Sequence, residues 1–160
     1  MATAYNIRIV KSRVIDEVQK TTEYIGSKSM GAEDTEAFDR VRAVDADREQ
    51  LDRYWMESCA LLTTSLGRWL ASTSDQGLGH HYEAGRNYTA TLMMPSNWNS
   101  ALGLSVVESL TGYLVNMIVS KWCRIAAPAA ADTHAAQASA YLEDAQRKLS
   151  RRVKPERNSN

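Results

Sequence analysis

The 160-residue chain is poor in cysteine, histidine and proline, and these shortages exclude several classes of protein. Two cysteines, Cys59 and Cys123, are too few for a disulfide framework. Both lie within apolar helical patterns, where a free thiol packs like a small hydrophobic side chain. The N-terminal segment has no apolar core of the kind that a secretion signal needs. These observations predict a protein that folds in a reducing compartment.

Sequence motifs for catalysis, phosphate binding and metal binding are missing as well. The chain has no ordered set of Ser, His and Asp, no glycine-rich phosphate loop and no HExxH or CxxC pattern. His80 and His81 are adjacent, but neighbours in a strand point to opposite faces and cannot readily bind one ion. We expect no catalytic residue, no cofactor and no metal, and the protein is predicted not to be an enzyme.

The longest apolar run extends from Trp98 to Ile125 and predicts one central helix. Glu108, Asn116 and Lys121 interrupt this run. A charged side chain in the middle of a membrane costs roughly 3 kcal/mol. We therefore expect a core helix rather than a membrane span, and no membrane partner.

Helical periodicity also marks three other segments, and two further segments have β character. The predicted helices run from Ser12 to Gly26, from Asp45 to Leu70, from Trp98 to Ile125 and from Asp132 or Thr133 to Val153, with a short turn over Thr35 to Val41. The fold class is therefore mainly α. We predict a bundle of about four helices, with a β-hairpin or long loop between the second and third long helices.

A single helical domain is predicted over residues 1–153, followed by a basic flexible tail over residues 154–160. Tyr5, Ile7 and Ile9 alternate with polar residues, so residues 1–11 form a short strand or an extended arm, unless the first helix starts earlier. Residues 73–97 form the hairpin or ordered loop, with a turn before a strand that starts at Tyr88.

The central helix carries a stripe of small or polar residues at steps of about four: Ser105, Ser109, Gly112, Asn116 and Ser120. Small side chains let another helix approach closely, either from the same bundle or from a neighbouring subunit. Glu108 lies in the same helix. A buried carboxylate there would be a candidate acid or base, but pairing with Arg or Lys, or a place at a subunit boundary, is the preferred alternative.

Charge is unevenly distributed in a chain whose formal net charge is zero. Residues 147–157 hold six basic residues and one acidic residue, whereas residues 33–57 hold nine carboxylates and four arginines. Such polarity suggests a charge-complementary contact between copies or with a partner, and two solvated faces are the alternative. The basic tail can also contact nucleic-acid phosphates, although it has no aromatic residue for base stacking.

The last third of the chain has a characteristic order of features. A long apolar helix ends near Trp122, a short break follows, and an Ala-rich helix leads into a basic tail with two arginines and a Lys-Pro pair. The residues that carry this order are Tyr113, Leu114, Lys121, Trp122, Ala138, Tyr141, Leu142, Ala145, Leu149, Arg151, Arg152, Lys154, Pro155 and Arg157. In these respects the chain resembles head-to-tail connector (adaptor or neck) proteins of tailed bacteriophages and prophages, over about half of its length.

That resemblance implies a structural virion protein that forms a ring of identical subunits, typically twelve, and acts without turnover. The ring would join the portal protein to a further neck or tail protein, and DNA would pass through its channel without sequence-specific binding. It would be assembled in the bacterial host cytoplasm and reside in the virion neck. The implied subunit or portal contacts are Ser105, Ser109, Gly112, Asn116, Arg147, Arg151, Arg152, Lys154 and Arg157. The implied channel or neighbouring-ring contacts are Tyr82, Arg86 and Tyr88.

Two alternative functions remain open at the level of sequence. One is a different virion part, such as a tail-completion or tail-terminator protein. The other is a helical-bundle binding protein outside phages, for example a toxin-neutralising or small-ligand bundle.

Overall fold

The computed structural model describes residues 1–71 and 87–155, and most of these residues are helical. The elements are strand β1 (Ala2–Ile9), helices α1 (Lys11–Ser29), α2 (Ala37–Val41) and α3 (Arg48–Leu66), strand β2 (Tyr88–Pro95), and helices α4 (Gly103–Ala126) and α5 (Pro128–Ser150). Single 3-10 turns, Asp45–Asp47 and Ser100–Leu102, lead into α3 and α4. The predicted fold class, a mainly helical bundle of four long helices with a small β element before the third, is confirmed.

Helix α4 is the axis around which the described elements pack. It contacts α1, α2, α3, α5 and β1. Its inward side chains are fully buried, and they meet equally buried side chains of α1 and α3 such as Val18 and Leu62. At 1.5 Å per residue, the helix is about 36 Å long. Its two ends are therefore well separated.

The apolar character of α4 comes from this central position. Residues Ser100–Ala126 are long and apolar enough to cross a membrane by length and composition, with a mean hydropathy of 1.5. Half of that window is buried inside the chain. The core helix of a soluble protein shows the same combination, because its apolar residues are covered by neighbouring elements.

Strands β1 and β2 form an antiparallel sheet in which Ile7 lies opposite Ala90 and Ile9 lies opposite Tyr88. These four side chains are buried, while the alternating residues of β1 are exposed. Residues 1–11 thus hold a strand and not a free arm. The segment after α3 pairs with the other edge of β2, where the Ala71 amide donates to Thr91 O over 2.9 Å. Residues 73–86 of the predicted hairpin or ordered loop lie outside the described residues.

Several helix ends differ from the sequence-based predictions. Helix α1 continues through Gly26, which lies where α2 approaches: a Cβ at Gly26 would be only 3.0 Å from Phe38 Cα. Helix α5 starts at Pro128 and not at Asp132 or Thr133, since a proline fits the first helical turn, where its missing N–H is not needed. Helix α4 starts at Gly103 and not at Trp98.

Both cysteines are free and fully buried, as their apolar patterns predict. Burial raises the pKa of the Cys59 and Cys123 thiols, so each stays protonated and packs as a hydrophobic group.

Candidate functional site

The stripe of small residues on α4 faces α5 of the same chain. Ser109, Gly112 and Asn116 all contact residues of α5, and Ser105 lies half-buried beside them. At Gly112 the approach is closest, because an added Cβ would be 2.8 Å from the ring of Tyr141. The close helix approach that the stripe predicts therefore occurs within the chain. A neighbouring subunit is not needed to explain it.

Ser109 is the centre of a polar network between the two helices. Its hydroxyl donates to Asp144 Oδ2 over 2.6 Å and accepts from Lys148 Nζ over 3.0 Å. Lys148 also forms an ion pair with Asp144. The hydrogen bonds from Lys148 and then from Ser109 hold the pKa of the Asp144 carboxyl below its usual value. Both hydrogen-bonding capacities of the hydroxyl are thus used inside the protein, which favours a structural role over a nucleophilic one.

Asn116 forms a second polar bridge one turn further along α4. Its amide donates to the Gly112 carbonyl over 2.8 Å, and its Oδ1 lies 3.0 Å from His134 Nδ1. Because an amide oxygen only accepts, the Nδ1 atom of His134 carries the proton. Burial lowers the pKa of His134, so the ring is neutral at pH 7. This bridge fixes the register of α5 against α4.

Ser109, Asn116, Asp144 and Lys148 line a groove of about 480 Å³ between α1, α4 and α5. Across the groove, the Arg13 guanidinium donates to both oxygens of Glu108 at 3.2 and 3.4 Å. The Glu108 side chain is 61% exposed, so it is not a buried acid or base. The structure instead shows the preferred alternative, in which Glu108 pairs with an arginine. An exposed ion pair of this kind is worth little energy, about 0–1 kcal/mol.

The end of α5 is attached to the segment that precedes α4. The Val153 amide donates to Asn97 O over 2.8 Å, and the Asn99 amide donates to Arg151 O over 3.2 Å. The Trp98 indole N–H also donates to Lys148 O over 3.0 Å. Residues 151–153 are therefore held in an extended conformation beside the start of α4. This attachment explains why Trp98 is not the first residue of the helix.

The basic residues at this end, Arg147, Arg151, Arg152 and Lys154, are exposed. Arg147 pairs with Glu143 one turn away, and Arg152 donates to the Leu149 and Arg151 carbonyls. Within residues 1–71 and 87–155, neither Arg151 nor Lys154 has an ion-pair partner. We call Arg147, Arg151, Arg152 and Lys154 the basic end of the chain.

The acidic segment does not neutralise the basic end. Its carboxylates pair mostly with nearby cations: Asp34 with Arg40, Asp39 with Arg42, Asp45 with Arg48, Asp52 with Lys11, and Glu57 with Arg53 and Lys121. In the part of the chain that the structure describes, no carboxylate of this segment pairs with the basic end. Within one chain, this arrangement agrees with two separate solvated faces, the alternative to a charge-complementary contact between copies or with a partner.

One predicted contact residue is misplaced. The resemblance implies that Tyr88 contacts a channel or a neighbouring ring, but Tyr88 is fully buried, and its hydroxyl lies 3.0 Å from Thr63 Oγ1. The strand that contains it pairs with β1, which turns Tyr88 into the core. The other predicted residues of that loop, Tyr82 and Arg86, lie outside the described residues, as do Arg157 and the histidines at 80 and 81.

Sequence reasoning missed the partners that complete the groove. Asp144 and Lys148 are one turn apart on α5, and this i,i+4 spacing of opposite charges was the available signal. No local pattern could identify Arg13 as the partner of Glu108, because the two residues are 95 positions apart in the chain. Among the described residues, no group of three or more His, Cys, Asp or Glu side chains is placed to hold a metal ion.

Comparisons with known proteins add no identification: no protein-family model, no curated protein and no solved structure matches this chain.

Proposed function

We propose that this protein is a structural subunit of a tailed-phage or prophage virion, a head-to-tail connector that forms a homo-oligomeric ring. The ring would lie between the portal and a further neck or tail protein and would extend the DNA channel. The proposal needs no catalysis and no cofactor. Its residence would be the virion neck, after assembly in the host cytoplasm.

The observation that carries this proposal is the fixed basic end. Backbone hydrogen bonds hold residues 151–153 against residues 97–99, so the backbone that carries Arg151 and Arg152 has a defined position, and Lys154 follows it directly. A preorganised surface loses less conformational entropy on binding than a free tail does. The same residues, with Pro155, carry the resemblance to connector proteins. A charged surface at the basic end would help a connector subunit to dock on a virion protein of opposite charge.

A two-part experiment tests this function. The purified chain is mixed with a portal protein from the same phage or prophage genome, and assemblies are counted by mass photometry and viewed by electron microscopy. A closed ring bound to the portal is expected. A chain that stays monomeric and binds no virion component would refute the proposal. A ring located at the tail end of the particle would instead favour a tail-completion or tail-terminator protein.

Charge variants test the basic end itself. Arg151→Gln combined with Lys154→Gln should weaken portal binding by about tenfold or more, because exposed cations of an interface act on association and its salt dependence. The matched control is Lys20→Gln with Lys28→Gln, which removes the same charge from the exposed face of α1. Equal effects of the two double variants would show that only net charge matters.

A second candidate function rests on the groove between α1, α4 and α5. Its volume of about 480 Å³ lies within the range of small-molecule sites. A helical-bundle protein that binds a small ligand would then be the alternative. A ligand-dependent rise in the melting temperature, lost in Ser109→Ala, would favour it.

A further inference from the structure

A cleft of about 520 Å³ lies where the C-terminal ends of α3 and α5 meet. Residues on both sides contribute to its lining, among them Ser65, Arg68, Gln146, Arg147 and Ser150. Arg147 belongs to the basic end, and Ser150 directly precedes Arg151. The cleft therefore adjoins the basic end and brings to it Arg68, a cation from a distant part of the chain. We call it the Arg68 cleft.

The two sides of the Arg68 cleft are bonded to each other. The Gln146 side-chain amide donates to Ser65 O over 3.3 Å. The neighbouring carbonyls at the end of α3 also have partners, since Thr64 O accepts from the Gly67 amide and Leu66 O accepts from the Trp69 amide. The last carbonyls of α3 are thus satisfied by other groups and do not engage the cations of the cleft.

Arg68 is the cation of the cleft that is available to a partner. It is exposed, and its guanidinium carbon lies 5.4 Å from the centre of the Trp69 ring. Contact with an aromatic face stabilises a guanidinium while its edge keeps its hydrogen-bond donors free. In the part of the chain that the structure describes, the Arg68 side chain has no ion pair and donates no hydrogen bond.

Glu143 also lines the cleft and lies 3.4 Å from Arg147. These two side chains are 65% and 77% exposed, and a pair as exposed as this contributes little and is readily exchanged for another. Two arginines and one carboxylate give the cleft a formal charge of +1, and Arg151 beside it adds a further positive charge. The group that complements the cleft is therefore an anion.

We infer that the Arg68 cleft binds an Asp or Glu side chain of the protein on which the basic end docks. A guanidinium presents two parallel N–H donors that match the two oxygens of a carboxylate. A concave site between two helix ends admits a side chain that projects from a protein surface. The inference rests on the proposed function and deepens it, because it adds Arg68 to the docking surface and states that the facing portal surface is acidic.

Substitution of Arg68 tests the inference by biolayer interferometry against immobilised portal protein. Arg68→Gln should weaken binding by about threefold or more and reduce its salt dependence, because one cation is lost from the contact. The matched control is Arg124→Gln, since Arg124 is also exposed and has no ion pair among the described residues, but lies in the last turn of α4. Equal effects of the two substitutions would overturn the inference.

Substitution of Glu143 should have the opposite sign. Glu143→Gln removes the carboxylate that competes with the partner for Arg147, so portal binding should strengthen by about twofold or more. Glu49→Gln is the control, because Glu49 is exposed in the first turn of α3, at the other end of that helix. An equal gain in both variants would show an effect of net charge alone, and no gain in Glu143→Gln would contradict the assignment of the cleft.

Two probes separate this inference from the proposed function. If the portal binds the parent and Arg68→Gln proteins equally, the inference fails and the proposed function stands. If no portal protein binds, but a short polyglutamate peptide binds the parent and not Arg68→Gln, the cleft binds carboxylates and the proposed function fails. Arg68-dependent binding of a short DNA duplex, tighter than that of the peptide, would assign the cleft to phosphates and overturn the inference.

Discussion

The ring of Tyr141 lies over Gly112, so close that a Cβ added at Gly112 would be 2.8 Å from Tyr141 Cδ1. The packing of α5 on α4 thus depends on a hydrogen atom in place of a methyl group at this position. A substitution at Gly112 therefore acts first on the fold of one chain. An effect of such a substitution on assembly would follow from that change and would not by itself show a subunit contact.

Gly112→Ala should destabilise the protein by about 1 kcal/mol. Overpacking costs about 1–3 kcal/mol, and the better helix propensity of alanine returns up to about 1 kcal/mol. Urea unfolding followed by circular dichroism measures the difference. In a Tyr141→Ala background the clash is gone, so Gly112→Ala should become neutral or stabilising there. A Gly112→Ala variant more stable than the parent protein would contradict the packing described.

Asp144→Asn should lower stability at neutral pH and have no effect in acid. The hydrogen bonds of Lys148 and Ser109 lower the pKa of the Asp144 carboxyl in the folded state. Its contribution is therefore present above the unfolded-state pKa and is lost as the pH falls through the folded-state value. Because the side chain is 45% exposed, we expect about 0.5–1 kcal/mol at pH 7.

The measurement is urea unfolding of the parent and Asp144→Asn proteins between pH 7 and pH 2.5. Glu143→Gln, which breaks a more exposed i,i+4 pair with Arg147, is the control and should change stability less. A cost of Asp144→Asn that persists unchanged at pH 2.5 would show that charge is not its origin.

In the ion pair of Lys11 with Asp52, substitution of Asp52 should destabilise the protein more than substitution of Lys11. Lys11 Nζ forms an ion pair with Asp52 Oδ1, and the Lys11 side chain is only 8% exposed against 25% for Asp52. Asp52→Ala leaves a buried ammonium without its carboxylate and should cost about 2–3 kcal/mol, near the lower limit for a broken buried pair. Lys11→Met fills the same space without charge and should cost about 1 kcal/mol. Equal costs in chemical denaturation would contradict this asymmetry.

Trp98→Phe should loosen the basic end while leaving every charge in place. The substitution removes the indole N–H that donates to Lys148 O, a hydrogen bond worth about 1 kcal/mol. Hydrogen exchange at the Val153 amide should accelerate about fivefold or more, while amides in the centre of α4 keep their protection. Under the proposed function, portal binding should weaken as well. Unchanged exchange at Val153 would show that the backbone pairing alone holds this end.

Local sequence patterns predicted most of the fold. The apolar periods of α3, α4 and α5 are properties of neighbouring residues, so their helical state follows from the sequence alone. The turn predicted over Thr35 to Val41 contains α2. The errors occur where a distant segment intervenes. Gly26 has the local signal of a helix end, yet α1 continues because the glycine is needed for the approach of Phe38.

The candidate site was predictable only in part. Ser109, Gly112 and Asn116 were identified as a small stripe for close helix packing, but no local pattern says which helix covers a stripe. That α5 of the same chain covers it depends on the short connection at Ala127, which returns the chain antiparallel along α4. The ion pair of Arg13 with Glu108 could not be predicted, because it joins residues 95 positions apart.

By itself, the sequence determined the helical class, the central apolar helix and the separation of acidic and basic segments, since each depends on residues near one another in the chain. Tertiary structure alone decided that β1 pairs with β2, that Tyr88 is buried, and that residues 151–153 are bonded to residues 97–99. These contacts join segments that are far apart in the chain, so their backbone groups find these partners only in the folded protein. A local pattern predicts which side chains are buried, and only the tertiary structure determines which residues bury them.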